Sequence, residues 1–240
     1  MKPRKYASAI TVVAALILVS TALLLVRMRQ VRGQQANASA VEQPVEETKM
    51  ALRRGGYKEA ARIKGHYVGT VNPDWDWVVF DLESLTKASA AVVVGTPTRS
   101  HATLSTDGRD LSTEYDVEVQ ELIKGRVDHK HQVKVSIPGG RIDFQDGTSA
   151  EVTTPGFAPM EIGQRYVLFL YANRNGSDVF ILTGGPQGLY ELPSADARVK
   201  PHGRGDDPLA KSLDGKPSGE FLNEVRAHAA KWPEPSLCCN

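Results

Sequence analysis

The chain reads as a mainly β fold, a small barrel or sandwich with a C-terminal covering helix, set behind one N-terminal transmembrane helix. Three observations predict it. Residues 7–26 (ASAITVVAALILVSTALLLV) are apolar apart from Ser8, Thr11, Ser20 and Thr21. Beyond residue 66, several short segments alternate apolar and polar side chains with a period of two, the mark of strands with one buried face. Near the end, Phe221, Leu222, Val225, Ala229 and Trp232 recur at helical spacing, which predicts one stripe packed on the sheet.

At ~1.5 Å rise per residue, the leading run makes a helix of roughly 30 Å, the thickness of a bilayer's hydrocarbon layer. A cleaved signal peptide has a shorter apolar stretch with a small-residue site close behind. Here Arg27, Arg29 and Arg32 intervene before the one candidate cleavage text, Ala36 to Ala40, so the segment reads as an uncleaved signal anchor. Lys2, Arg4 and Lys5 balance those three arginines, and charge counting gives no orientation. A short leading tail ordinarily stays in the cytoplasm, which puts the chain after Arg32 outside. The expected organisation is a cytoplasmic tail (1–6), the transmembrane helix (7–26), a stalk and tether (27–65), a β-rich domain (66–195), and a polar loop with a C-terminal helix and tail (196–240).

Residues 33–48 (GQQANASAVEQPVEET) are polar and short of large apolar side chains, as a flexible stalk is. Basic residues then recur at Lys49, Arg53, Arg54, Lys58, Arg62 and Lys64, with Gly55 and Gly56 expected to break any single helix. A solvated, partly helical tether is the reading preferred over a contact with anionic lipid.

Asp81 to Ala88 suits a short helix, and Ala90 to Thr96 (AAVVVGT) is a β-branched strand closed by Gly95 and Pro97. Tyr115, Val117 and Val119 alternate with Asp116, Glu118 and Gln120, and Val133, Val135 and Ile137 repeat the pattern up to Pro138-Gly139-Gly140. Tyr166 to Tyr171 (YVLFLY) is apolar on both faces and should be a central strand covered on both sides. Val179 to Leu182 and Gly188 to Leu192 add strands around the Gly184-Gly185-Pro186 turn, and the chain after Pro193 is polar and irregular. Ser218 is the expected N-cap of the final helix, with Glu220 near the positive end of its dipole and Pro233 ending it.

After Arg32 the chain carries 23 Lys and Arg against 28 Asp and Glu, a net charge of −5. An acidic module is poorly suited to phosphate backbones, so nucleic acid is not an expected partner. The only cysteines, Cys238 and Cys239, are adjacent, so no disulfide framework staples the domain. They read as tail thiols or a strained local pair rather than a prenylation signal.

Asp128-His129-Lys130-His131 sets two imidazoles two residues apart, which makes His129 and His131 weak metal candidates without an evident third ligand. Asp74-Trp75-Asp76-Trp77 combines carboxylates with aromatic rings, a pairing used in sugar recognition and cleavage, and is the weak ligand-binding candidate. The bland reading of both, a solvated loop and a capping tryptophan beside surface aspartates, is preferred. No nucleophile elbow, zinc-protease helix, phosphate-binding loop or dinucleotide fingerprint occurs. No catalytic residue and no cofactor is assigned. Arg204-Gly205-Asp206 matches the adhesion tripeptide, but three residues in a Gly-rich loop arise too often by chance to carry weight; Asn37 and Asn175 begin sequons, which matter only in a eukaryotic secretory pathway.

Five segments, AAVVVGT (90–96), EYDVEVQELIKG (114–125), VKVSIPGG (133–140), EIGQRYVLFLY (161–171) and GGPQGLYEL (184–192), resemble a group of uncharacterised bacterial membrane-anchored or exported proteins. Their pattern is similar to the five-stranded OB-fold-like barrel of the tissue-inhibitor-of-metalloproteinases and netrin type. The resemblance implies an OB-like barrel and an extracytoplasmic location. It implies no inhibitor activity, because this chain lacks the N-terminal cysteine with which those inhibitors chelate zinc. The resulting expectation is a single-pass membrane protein presenting a β-barrel binding module to a protein or glycan partner. The alternatives are an envelope hydrolase or metal-dependent enzyme using His129, His131 or the Asp74 and Asp76 pair, and a purely structural envelope protein.

Overall fold

The computed structural model describes residues 46–73, 79–127, 131–172, 179–193, 197–203 and 207–232. The anchor run 7–26 lies outside these residues, and among those described no helix is long and apolar enough to cross a membrane. Residues 46–51 belong to one contact unit and residues 52–240 to a second, which holds the β structure. The chain is mainly β with two sheets and a few helices.

In chain order the elements are α1 (residues 46–64), β1 (His66–Thr70), α2 (Leu82–Ala88), β2 (Ala91–Leu104), β3 (Leu111–Lys124), β4 (Gln132–Pro138), β5 (Gly140–Asp143), β6 (Ser149–Thr153), β7 (Tyr166–Ala172), β8 (Val179–Leu182), β9 (Leu189–Glu191), β10 (Lys200–Pro201), α3 (Pro208–Leu213) and α4 (Ser218–Lys231). A 3-10 turn, Gly185–Gly188, joins β8 to β9. In the larger sheet, β2 pairs antiparallel with β3 and β7, and β3 pairs antiparallel with β4. Strand β8 then pairs parallel with β4 (Val135 opposite Phe180) and antiparallel with β7 (Leu170 opposite Leu182). The pairings therefore return to their start, and β2, β3, β4, β8 and β7 form a closed ring.

Alternation along each strand sorts side chains inside or outside that ring. Ala91, Val93, Tyr115, Val117, Val135, Leu168 and Leu170 fill its interior. Val92, Val94, Val167 and Phe169 point outward, where they meet Leu85 of α2, Leu209 of α3, and Phe221 and Val225 of α4. Strand β7 is covered on both faces, as its doubly apolar sequence predicted. The expected stripe on α4 buries Phe221, Leu222, Val225 and Ala229, while Trp232 remains 37% exposed with the Lys87 ammonium 4.3 Å from its ring centroid. Ser218 is not the N-cap. Pro217 holds that position, and the Ser218 hydroxyl donates instead to the Ala197 carbonyl at 2.6 Å.

Two buried polar groups fix the helical cover. The Lys124 ammonium, at the end of β3, donates to the carbonyls of Thr86 (2.7 Å), Lys87 (3.0 Å) and Ser89 (2.8 Å) at the C-terminus of α2. It satisfies acceptors that a helix end leaves unpaired and places a cation at the negative end of the dipole. Burial pushes its pKa down from the usual lysine value. The Gln187 amide accepts from the Val79 N–H at 2.9 Å, donates to the Val79 carbonyl at 2.8 Å, and donates to Asp207 at 3.1 Å. Asp207 in turn caps α3 by accepting from the Leu209 N–H.

Strand β2 does not stop at Gly95 and Pro97. It continues to Leu104 through register shifts at Val94/Gly95 and Pro97/Arg99. A proline is tolerated there because the ladder is already interrupted. The extended β2–β3 hairpin leaves the ring and packs on a second sheet, β1-β6-β5, in which β1 runs parallel to β6 and β5 antiparallel. Neither β5 nor β6 was legible in the sequence.

Residues 52–64, expected as a solvated tether, instead bury Tyr57, Ala60 and Ala61, and Tyr57 joins Leu111, Ala150 and Val152 in a separate apolar cluster. The two glycines disturb the helix without ending it. Gly56 takes φ +67, and the Tyr57 N–H donates to the Gly108 carbonyl of the β2–β3 turn at 2.8 Å. The Arg53 carbonyl accepts from the Arg109 guanidinium. On the neighbouring β5–β6 turn, Asp146 accepts from the Thr148 hydroxyl (2.7 Å), the Thr148 N–H and Arg62 Nε (3.2 Å). The Thr148 donors, aided by Arg62, hold its carboxyl down at about 2.

A Cβ at residue 56 would overlap the Gly108 carbonyl oxygen, and φ is unfavourable there for any side chain. Gly56→Ala is expected to cost at least about 2 kcal/mol in chemical denaturation, since strain and overlap add. Gly65→Ala, at φ +74 but in open space, should cost about 1 kcal/mol. Asp146 has a depressed folded-state pKa, so its stabilisation is present above the ordinary value of 3.8 and is lost as pH falls toward about 2. Asp146→Asn should flatten that part of the stability-pH curve, and the side-chain carboxyl carbon shift in wild type should titrate near 2.

Candidate binding cleft

A cleft opens where the ring hands the chain to the second sheet. Its walls are the start of β3 (Thr113, Tyr115), the end of β4 (Ile137, Pro138), β6 (Val152, Thr153) and the segment through Phe157 and Pro159. The β4–β5 corner shapes it. Gly139 (φ +97) and Gly140 (φ +132) turn the backbone where a Cβ on Gly139 would sit 2.6 Å from the Val152 carbonyl oxygen and one on Gly140 would overlap the Thr113 hydroxyl. Only glycine fits both the conformation and the space. The corner is pinned from either side: Thr113 Oγ1 donates to the Gly139 carbonyl at 2.9 Å and Thr154 Oγ1 to the Pro138 carbonyl at 2.8 Å.

The volume is about 240 Å³. This lies below the ~300–1,000 Å³ typical of cofactor and small-molecule sites. Ile137, Val152 and Phe157 give it an apolar lining, while Arg141 and Glu151, directly opposite one another across β5 and β6, charge the rim. Behind it, the Met160 N–H donates to the Tyr115 hydroxyl at 3.2 Å and the Glu161 N–H to the Tyr166 hydroxyl at 2.9 Å, which ties the segment after Pro159 to the ring. Burial pushes both phenols above the ordinary tyrosine pKa, so both remain neutral.

Among the described residues, no candidate ligand or metal residue singled out in the sequence lines this cleft. Asp74, Trp75, Asp76, Trp77 and His129 lie outside the described residues, as do Cys238, Cys239, residues 175–177 and 204–206. His131 is exposed at φ +66 just before β4, and its carbonyl accepts from the Val119 N–H at 2.7 Å. Among the described residues, no three His, Cys, Asp or Glu side chains are grouped to hold a metal.

One unanticipated contact lies on the outer face of the second sheet. His66 Nδ1 and Ser149 Oγ are 2.7 Å apart across the β1–β6 pairing, and Glu151 Oε2 is 4.0 Å from His66 Nε2. The Ser149 N–H is already bonded to the Gly65 carbonyl at 3.1 Å, so it is not free to stabilise an oxyanion at that hydroxyl. The pair links two strands 83 residues apart in sequence.

Tyr115→Phe removes the acceptor for the Met160 N–H and is expected to cost about 1 kcal/mol. Hydrogen exchange at the Met160 amide should accelerate in the variant, while β7 amides, which do not depend on that hydroxyl, should change little. No protein-family model matches the chain, and a search of curated proteins finds no match by sequence.

Proposed function

We propose that this chain is a single-pass membrane protein that presents an OB-type β-barrel outside the cytoplasm and binds a protein partner through the cleft between the barrel and the β1-β6-β5 sheet. Support for the anchor is the apolar run 7–26 with basic residues at each end. Support for the barrel type is the strand order of the ring, a three-strand meander (β2, β3, β4) closed by β8 parallel to β4 and β7 antiparallel to β2. A five-stranded Greek-key barrel has this character. The observation that carries the binding reading is the cleft itself, with its apolar lining, charged rim and room for one side chain. A buried apolar anchor surrounded by polar contacts is how protein interfaces concentrate their affinity.

The native cysteines supply the topology test, because Cys238 and Cys239 are the only thiols in the chain. After mild reduction, a membrane-impermeant maleimide should label them on intact cells, and the labelled protein should stay in the membrane pellet through an alkaline wash. Labelling only after permeabilisation would reverse the orientation. For binding, a photocrosslinking residue at exposed Thr153 should give a discrete protein adduct in cells, lost when Ala158→Trp fills the cleft. An adduct unchanged by Ala158→Trp, or one formed only with glycan, would remove the protein-cleft reading.

A further inference from the structure

We infer that the solvent-facing side of α1 is a second binding surface, and that its partner is the anionic phospholipid headgroup layer of the bilayer that holds residues 7–26; this rests on the anchoring proposed above. Between residues 52 and 64 the helix carries five basic side chains, Arg53, Arg54, Lys58, Arg62 and Lys64, against one acidic, Glu59. All five basic residues are exposed, while Tyr57, Ala60 and Ala61 are buried. Arg62 is held by Glu59 and Asp146. The other four have no ion-pair partner among the described residues. Ile63, 38% exposed between Arg62 and Lys64, adds the apolar side chain that interfacial helices combine with cations.

The remainder of the module makes this placement specific. Residues 65–240 hold 17 Lys and Arg against 24 Asp and Glu, a net of −7. An anionic surface repels that remainder and attracts α1, so the charge distribution selects the side that approaches the bilayer. Only 27 residue steps separate Val26 from Arg53, a contour below about 95 Å at the ~3.5 Å reach of an extended residue. The bilayer is therefore a permanent neighbour at high effective concentration. An anionic protein would need to compete with a surface that is always present.

The test uses the full chain in lipid nanodiscs, with a fluorescent amino acid at Ile63 and lipids carrying a nitroxide quencher on the headgroup. Quenching should be at least threefold greater in discs containing 30% phosphatidylglycerol than in phosphatidylcholine discs, and should fall back in 0.5 M NaCl. A variant with Arg53, Arg54, Lys58 and Lys64 all changed to Gln should lose more than about tenfold of the contact, since each charge near such a surface contributes about fivefold at low salt. Arg53→Lys with Arg54→Lys should retain it, and the same probe at exposed Leu122 of β3 should report little quenching in any disc. Equal quenching in neutral and anionic discs, in a chain that resists alkaline extraction, overturns the lipid contact and leaves the anchor standing. Extraction of the chain by alkali overturns the anchor and, with it, the tethered contact.

Discussion

Closure of the ring through β8 is the constraint on which the remaining architecture depends. This four-residue strand pairs with β4 on one side and β7 on the other, so a five-stranded sheet that would otherwise end in two open edges is joined to itself. Closure removes the unpaired backbone groups that make sheet edges prone to association. It also divides the apolar residues of β2 and β7 into an inner set that packs against itself and an outer set that needs separate cover. Helices α2, α3 and α4 exist where they do because Val92, Val94, Val167 and Phe169 would otherwise face water.

The cover is registered by polar contacts as well as apolar ones. Hydrophobic packing is nearly indifferent to small slides of a helix over a sheet, whereas a buried ammonium with three carbonyl acceptors is not. Lys124 therefore sets where α2 ends, and the reciprocal amide of Gln187 sets where the chain at Val79 and the cap of α3 meet. Arg226 adds a two-bond contact from α4 to Glu121 of β3 at 2.8 Å each. Being partly exposed, it orients more than it stabilises.

The same strands that close the ring also leave it. Register shifts in β2 redirect the long hairpin toward β1, β5 and β6, so one continuous pair of strands serves two packing units. The cleft sits at this transfer point, where the corner glycines, the hairpin and the Thr154–Pro159 segment meet without filling the space between them. Elsewhere on the hairpin, helix α1 sets its bend over the β2–β3 turn, and its basic side chains stay in solvent.

The sequence by itself determined the core strands of the ring and which faces they bury, though not β5, β6 or the extension of β2, because alternation is a local property: Tyr115, Val117 and Val119, then Val133, Val135 and Ile137, announce their inner face whatever their partners are. It also determined the helical stripe of α4 and the doubly covered β7. Partnership was not legible. Nothing local says that β4 pairs in parallel with β8, that Lys124 ends a helix 35 residues earlier, or that Ser149 meets His66. The cleft was equally silent, since its threonines, valine and glycines carry no motif, and Pro138-Gly139-Gly140 read only as the end of a strand. Tertiary structure decided these points for one physical reason. A contact between distant segments is selected by the free energy of the whole packed arrangement, and only the closed ring, with the chain leading into and out of it, brings those particular groups within reach.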